Sequence, residues 1–243
     1  MISTLEHDHI IGPLGSTFHR IKVPPAMRQA INWDFDWSKL GKRVMIDARE
    51  GIITWISPGT THEGAADAAD KIVLSCGIIL NLPTVGRRGT RWEIPGGPGK
   101  IEVEADASYY IGQKADGFYT ARKQGIKVAA NYVARTPPDL MVEVEVTNFD
   151  ASKPAKYREL GVNEMWQFTY DEKQDTYEAA ILELQASGRP QEINHSLVLP
   201  SLGASRLPNI YTMAETSGLQ NLNALLKKEL VVPLPPKKDP AKA

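Results

Sequence analysis

The stretch PPDLMVEVEVTNFDASKPAKYRELGVNEMW, residues 137–166, sets two glutamates two positions apart on what reads as a β-strand. Alternation sends Leu140, Val142, Val144 and Val146 to one face, and Met141, Glu143 and Glu145 to the other. Adjacent carboxylates on one face repel, and burying them costs several kcal/mol unless a cation neutralises them. The strand can therefore fold with its acidic face in water, or with that face gathered around a cation, for which a divalent metal is suited. Periodicity alone leaves the two alternatives level. A lysine-bearing helix follows from about residue 152 to 160, and Gly161 is a suitable residue for its C-terminal cap.

Around this segment the pattern predicts one α/β domain. Residues 1–35 read as an N-terminal extension broken by Pro24 and Pro25, residues 36–213 as the domain, and residues 214–243 as a last helix (219–230) with a disordered Pro- and Lys-rich tail. Residues 42–57 form two strands about a turn near 49–51, and Pro58–Gly59 punctuates the chain. A helix capped by Thr60 or Thr61 runs to about residue 82, with Ala65, Ala69, Ile72, Val73, Cys76 and Leu80 on one stripe. A strand at 90–94 and a Gly/Pro turn at 95–99 precede one longer strand, 100–111, whose Glu102, Glu104 and Asp106 share a face. Residues 112–127 read as loop or short helix, which 128–133 extend. Residues 164–170 and 176–184 form a hairpin, and 196–200 a short strand.

Read as a metal site, the parts are Asp106 on one strand, Glu143 and Glu145 on its neighbour, and Lys153 on the next helix. Hard ions such as Mg²⁺ or Mn²⁺ take carboxylate oxygens and keep waters that can be polarised for attack on a phosphodiester. A lysine nearby would orient the nucleophile or stabilise charge on the transferring phosphate. The bland alternatives are a solvated acidic sheet face and solvated first-turn lysines. Asp139 reads as a residue that starts the strand or makes a turn, and His62 as a surface or capping residue. Trp166, Phe168 and Tyr170 read as core plus one exposed aromatic.

Composition removes several other classes. A net charge of −1 excludes a globally basic nucleic-acid binder but not a local patch. Arg87, Arg88 and Arg91 on one side, and Lys114, Arg122, Lys123 and Lys127 on the other, read first as ordinary solvated loops, and otherwise as basic loops flanking the acids that would suit a nucleic-acid backbone approaching a metal. Cys76 is the sole cysteine, so neither a disulfide framework nor a cysteine zinc site is available. There is no GxSxG elbow and no phosphate-cradling Gly-Lys-Thr/Ser loop. The opening MISTLEHDHIIGPLG lacks signal-peptide character, and the longest apolar run, 72–82, is about half the ~20 residues a membrane span needs. A cytoplasmic protein with no membrane partner is expected.

These residues resemble the Uma-two family, bacterial proteins labelled restriction endonucleases. The family shows a PDLVVEV-type strand, then a helix whose Lys or Arg stands four before a Tyr and eight before a Gly. Lys153, Tyr157 and Gly161 match, as does the Gly-Val-x-Glu-x-Trp continuation to Trp166. EADASYYI (104–111), MIDAREGIITWISPGTTHEG (45–64) and SLVLPSL (196–202) are also similar, so the resemblance covers roughly residues 40–213. It implies the PD-(D/E)XK nuclease superfamily: a restriction-endonuclease-like core, with a central mixed sheet flanked by helices, that cuts DNA using Mg²⁺ or Mn²⁺. By that resemblance Asp106 is the first metal-binding acid and Glu143 the acid of the (D/E)XK element. Glu145 stands where the lysine would be and joins the metal ligands, while the lysine has moved to the helix as Lys153, with Lys156 its substitute. Glu63 is the added acid on the first helix. Ala105 replaces the usual Pro before Asp106, and Pro154 sits in the first helical turn, where it is accepted. A homodimer suits cutting of both strands. The rival implied by the same fold is an inactive module for nucleic-acid binding or assembly.

Overall fold

The structure, a computed structural model, describes residues 6–11, 17–33, 43–57, 60–94, 101–145, 151–171, 173–174, 176–184 and 189–230. In chain order the first elements are β1 (Glu6–Ile11), β2 (Thr17–Lys22), β3 (Arg43–Asp47), β4 (Ile52–Ser57) and α1 (Thr60–Leu80). Then come β5 (Thr84–Gly86), β6 (Arg91–Glu93), β7 (Ile101–Glu104), β8 (Ala107–Ile111), α2 (Gln113–Gln124) and α3 (Ile126–Arg135). The second half has β9 (Leu140–Glu145), α4 (Lys153–Leu160), β10 (Glu164–Asp171) and β11 (Thr176–Glu183). It closes with β12 (Gln191–Glu192), α5 (Leu207–Thr216) and α6 (Leu219–Leu230).

These strands make two sheets. One is antiparallel, in the order β1-β2-β4-β3-β7-β6. The other runs β12-β11-β10-β9-β8-β5 and is mixed, because β9 and β10 are parallel. Parallel neighbours need a crossover, and α4 supplies it. Gly161 ends α4 in the left-handed conformation at φ 94°, as its position after the helical pattern predicts. The protein is therefore α/β, with a mixed sheet flanked by helices.

Alternation along β9 fixes what each face of the mixed sheet meets. Leu140, Val142 and Val144 join a core with α1, α5 and α6, to which Ile72, Ile210 and Leu226 contribute. Met141 faces a second core, built from Trp92 and Val103 of the first sheet, Ala115 of α2, and Tyr157 and Leu160 of α4. Both faces of β9 are thus buried, and the first sheet with α2 and α4 covers the acidic one.

Several expectations change. Residues 100–111 are two strands in different sheets, because the chain leaves the first sheet after Glu104 and enters the mixed sheet at Ala107. Residues 112–127, read as loop or short helix that 128–133 extend, lie in two helices, α2 and α3, which meet at Gly125 with φ 132°. Residues 196–200 are not a strand; only an isolated bridge, His195 to Gly203, lies nearby. Helix α5 was not expected, and Pro208 sits in its first turn, where a missing N–H costs nothing. Residues 6–11 and 17–22, placed in an extension, supply two strands to the first sheet. The breaks at Pro58–Gly59 and 95–99, Val146, and the tail beyond residue 230 lie outside the described residues.

Candidate functional site

Glu143 lies on β9, the strand between β8 and β10, and is 1% exposed. Glu145 is 8% exposed, so the pair is buried and the solvated-face alternative is overturned. Both oxygens of Glu143 are engaged: the Lys153 ammonium donates to Oε2 and the Tyr157 hydroxyl to Oε1. Lys153 and Tyr157 stand four apart on α4, which puts them on one helix face. Lys153 is itself only 7% exposed. Lys156 points elsewhere, lying 3.8 Å from Asp47 of β3. Of the two candidate lysines, Lys153 is the one on the acid.

Asp106 occupies the step between the two sheets and is 5% exposed. The antiparallel register of β8 and β9 pairs Ala107 with Val142, so Asp106 comes opposite Glu143. Its Oδ2 accepts the Val144 N–H at 2.7 Å. A side-chain carboxylate thus takes a ladder hydrogen bond that a backbone carbonyl would otherwise accept, and this ties the acid to β9 without a further strand residue. On the other side, the parallel register pairs Gln167 of β10 with Glu143, and its amide donates to Glu145 Oε2 at 3.5 Å. Gln167 carried no expectation. Its parity opposite Trp166 and Phe168, which lie in the other core, was the available signal.

Burial pushes the Glu143 carboxyl up to about 7; Lys153 draws it down, and the Asp106 charge raises it further. For Lys153, burial opposes the ammonium, but Glu143 and then Asp106 outweigh it and hold the amine above its ordinary range. A raised carboxyl pKa means that the folded chain holds this proton where the unfolded chain has released it. Its contribution to stability therefore falls as pH rises from about 4.5 to about 7. Melting temperatures across that window should decline in the wild type and flatten in Glu143→Gln. An unchanged slope in the variant would remove Glu143 as the source.

The remaining expected residues fall out as follows. Glu63 lies in the first turn of α1, and its side chain is outside the described residues, as is that of His62. Asp139 behaves as the strand-starting residue expected: its Oδ2 accepts the Ile111 N–H at 2.8 Å and Lys114 lies 3.2 Å from Oδ1. Trp166 and Phe168 are core and Tyr170 is partly buried. Cys76 is buried, with its thiol pushed up to about 12, which leaves it without nucleophilic character. Among the described residues no group of three or more His, Cys, Asp and Glu side chains is arranged to hold a metal ion. What the fold brings together is a carboxylate pair, Asp106 and Glu143, with Glu145 further along β9.

Another buried acid, Glu164, lies at the start of β10. It accepts the Trp166 indole N–H and the Ser196 hydroxyl, both at 2.6 Å, and the Leu197 and Val198 amides. The Glu-x-Trp and Ser-Leu-Val-Leu motifs are thus the two halves of one staple. Among the described residues no helix is long and apolar enough to cross a membrane. No protein-family model and no curated protein matched the chain.

Proposed function

We propose that this chain is a cytoplasmic, divalent-metal-dependent endonuclease of the PD-(D/E)XK type that hydrolyses phosphodiester bonds of DNA. The observation that carries the reading is the buried meeting of Lys153 and Tyr157 on Glu143, beside Asp106. Stability alone is a weak reason for such a cluster, because a buried ion pair is often no better than apolar residues of the same volume. Perturbed carboxylates facing a buried amine are the arrangement that acid–base and phosphoryl chemistry uses.

The donor set suits a hard cation: oxygen ligands, two acids side by side and a third on the same strand face. Mg²⁺ is commonly held by one or two carboxylates, with waters and substrate oxygens completing its shell. Asp106 and Glu143 would hold Mg²⁺ or Mn²⁺, with Glu145 next to them. When bound, the ion supplies positive charge at the scissile phosphate and a more acidic water. Lys153 would orient the attacking water and offset phosphate charge, Tyr157 would fix the Glu143 carboxylate, and Gln167 would hold Glu145.

Glu143→Ala and Lys153→Ala should each reduce cleavage of plasmid and linear DNA in Mg²⁺ or Mn²⁺ by at least about 100-fold, the scale of one lost charge-stabilising group. A folded wild-type protein that neither binds these ions nor nicks DNA or RNA would overturn the reading. The engagement of both Glu143 oxygens favours one rival, a nuclease-fold module that binds nucleic acid without turnover. Binding that survives both substitutions, with no cleavage by the wild type, would select it.

A further inference from the structure

We infer that the outer face of α3, continued by the end of α2, is a nucleic-acid backbone-binding surface that leads toward the Glu143 site. The choice of nucleic acid among polyanions rests on the endonuclease reading; the surface itself rests on charge, exposure and position.

Residues 113–135 carry Lys114, Arg122, Lys123, Lys127 and Arg135 against Asp116, five positive charges less one negative, or +4. The whole chain is −1, so the other residues together carry −5. A concentration of one sign in two adjacent helices of a near-neutral protein is the footprint of an anionic partner. Arg122, Lys123, Lys127 and Arg135 are all exposed. Lys114 is spent on Asp139 and the Pro137 carbonyl.

The helical period arranges these charges. Ala129, Tyr132 and Val133 turn inward, with Ala129 buried and the other two packed on the core beneath. Lys127, Asn131 and Arg135 recur at every fourth residue on the outside, separated by Ala130 and Ala134. Two cations and an amide therefore form a ridge about 12 Å long, at 1.5 Å per residue, with small residues that let a backbone come close. That length matches the axial rise of about three to four nucleotides of one strand. Arg122 and Lys123 lie in the last turn of α2, just before Gly125 and the start of the ridge.

Position links the ridge to the site. Ala115, Phe118, Tyr132 and Val133 of the two helices pack in the same core as Met141, whose side chain shares the strand face of Glu143. At the far end of the ridge, Arg135 lines a groove of about 430 Å³ together with Arg91, which is paired with Glu104, and with Glu93, Glu102, Pro137 and Leu160. Leu160 ends α4, the helix that carries Lys153. A strand lying on α3 would thus reach, past Arg135, a groove of mixed charge whose far wall is the C-terminal end of α4.

The test is binding of a labelled duplex of about 25 base pairs, and of the matching single strand, by the full chain in EDTA, where cleavage does not intervene. Lys127→Glu with Arg135→Glu should weaken binding at least tenfold and reduce the slope of log affinity against log salt by about two. Lys227→Glu with Lys228→Glu makes the same charge change on α6, behind the other face of the mixed sheet, and should leave both quantities unchanged. Circular dichroism and melting curves of each variant establish folding. Equal loss from the α6 pair, no loss from the α3 pair, or no binding by the wild type overturns the inference. So does wild-type binding to vesicles of anionic lipid, but not to nucleic acid, that the α3 substitutions abolish. DNA binding that depends on α3 without cleavage by the wild type leaves the inference standing and removes the endonuclease reading. Cleavage that is indifferent to α3 does the reverse.

Discussion

Replacing Lys153 with methionine should destabilise the folded chain by about 3–5 kcal/mol at neutral pH, the usual cost of removing one partner from a buried ion pair. The methionine fills much of the volume, so the loss is electrostatic: Glu143 is left buried, facing Asp106, with only the Tyr157 hydroxyl on it. Lys153 is what draws the Glu143 carboxyl down to about 7, so without it Glu143 escapes by taking a proton, and the penalty should grow as pH rises through and above about 7 and level off below it. The double variant Lys153→Met with Glu143→Gln should recover part of the loss, because no charge is then stranded. Urea unfolding at several pH values measures all three. A penalty below about 1 kcal/mol that does not vary with pH would mean that water reaches the pair, and the buried-site argument would fail with it.

Glu164→Ala should cost a comparable amount, at least about 3 kcal/mol, from hydrogen bonds to a charged acceptor at about 1.5–3 kcal/mol each less what water recovers. Trp166 and Ser196 are fully or almost fully buried, so their donors have little access to solvent once the carboxylate is gone. The Leu197 and Val198 amides would be released with them. Because Glu164 serves the opposite core from Glu143, metal or nucleic-acid binding by the remaining folded protein should not change. A loss within about 0.5 kcal/mol would place Glu164 among ordinary surface substitutions.

How far the sequence could be read follows from the range of each interaction. The β9 pattern, the cap at Gly161 and the hairpin of β10 and β11 are local, and all three were legible. Alternation along β9 told correctly which side chains share a face. It could not tell that the acidic face is buried, because the cover comes from Trp92 and Val103 of the other sheet and from Tyr157 of α4. The same blindness merged β7 with β8: Glu102, Glu104 and Asp106 keep their spacing while the chain changes sheets between them. Residues 196–200 look like a strand by composition, yet Glu164 takes the Leu197 and Val198 amides and the Ser196 hydroxyl caps the Leu199 amide. Tyr157 fell inside a recognised spacing but gained a role only when its hydroxyl met Glu143. Gln167 needed the parallel register of β9 and β10, which no local pattern prints.

The ties from α4 to β3 and the turn after it carry a consequence for how the molecule can be divided. Lys156 reaches Asp47, and one turn along the same helix Glu159 meets Arg49 at 2.7 Å. The helix that offers Lys153 to Glu143 is therefore also bolted to the antiparallel sheet. Asp106 stands on the chain segment that passes from that sheet to the mixed one. The antiparallel sheet is thus scaffold for the acid and the amine alike, and trimming the protein to mixed sheet and helices should cost both of them that support. Grafting residues 140–170 onto another scaffold would transplant the strand, helix and lysine but leave behind what aims them.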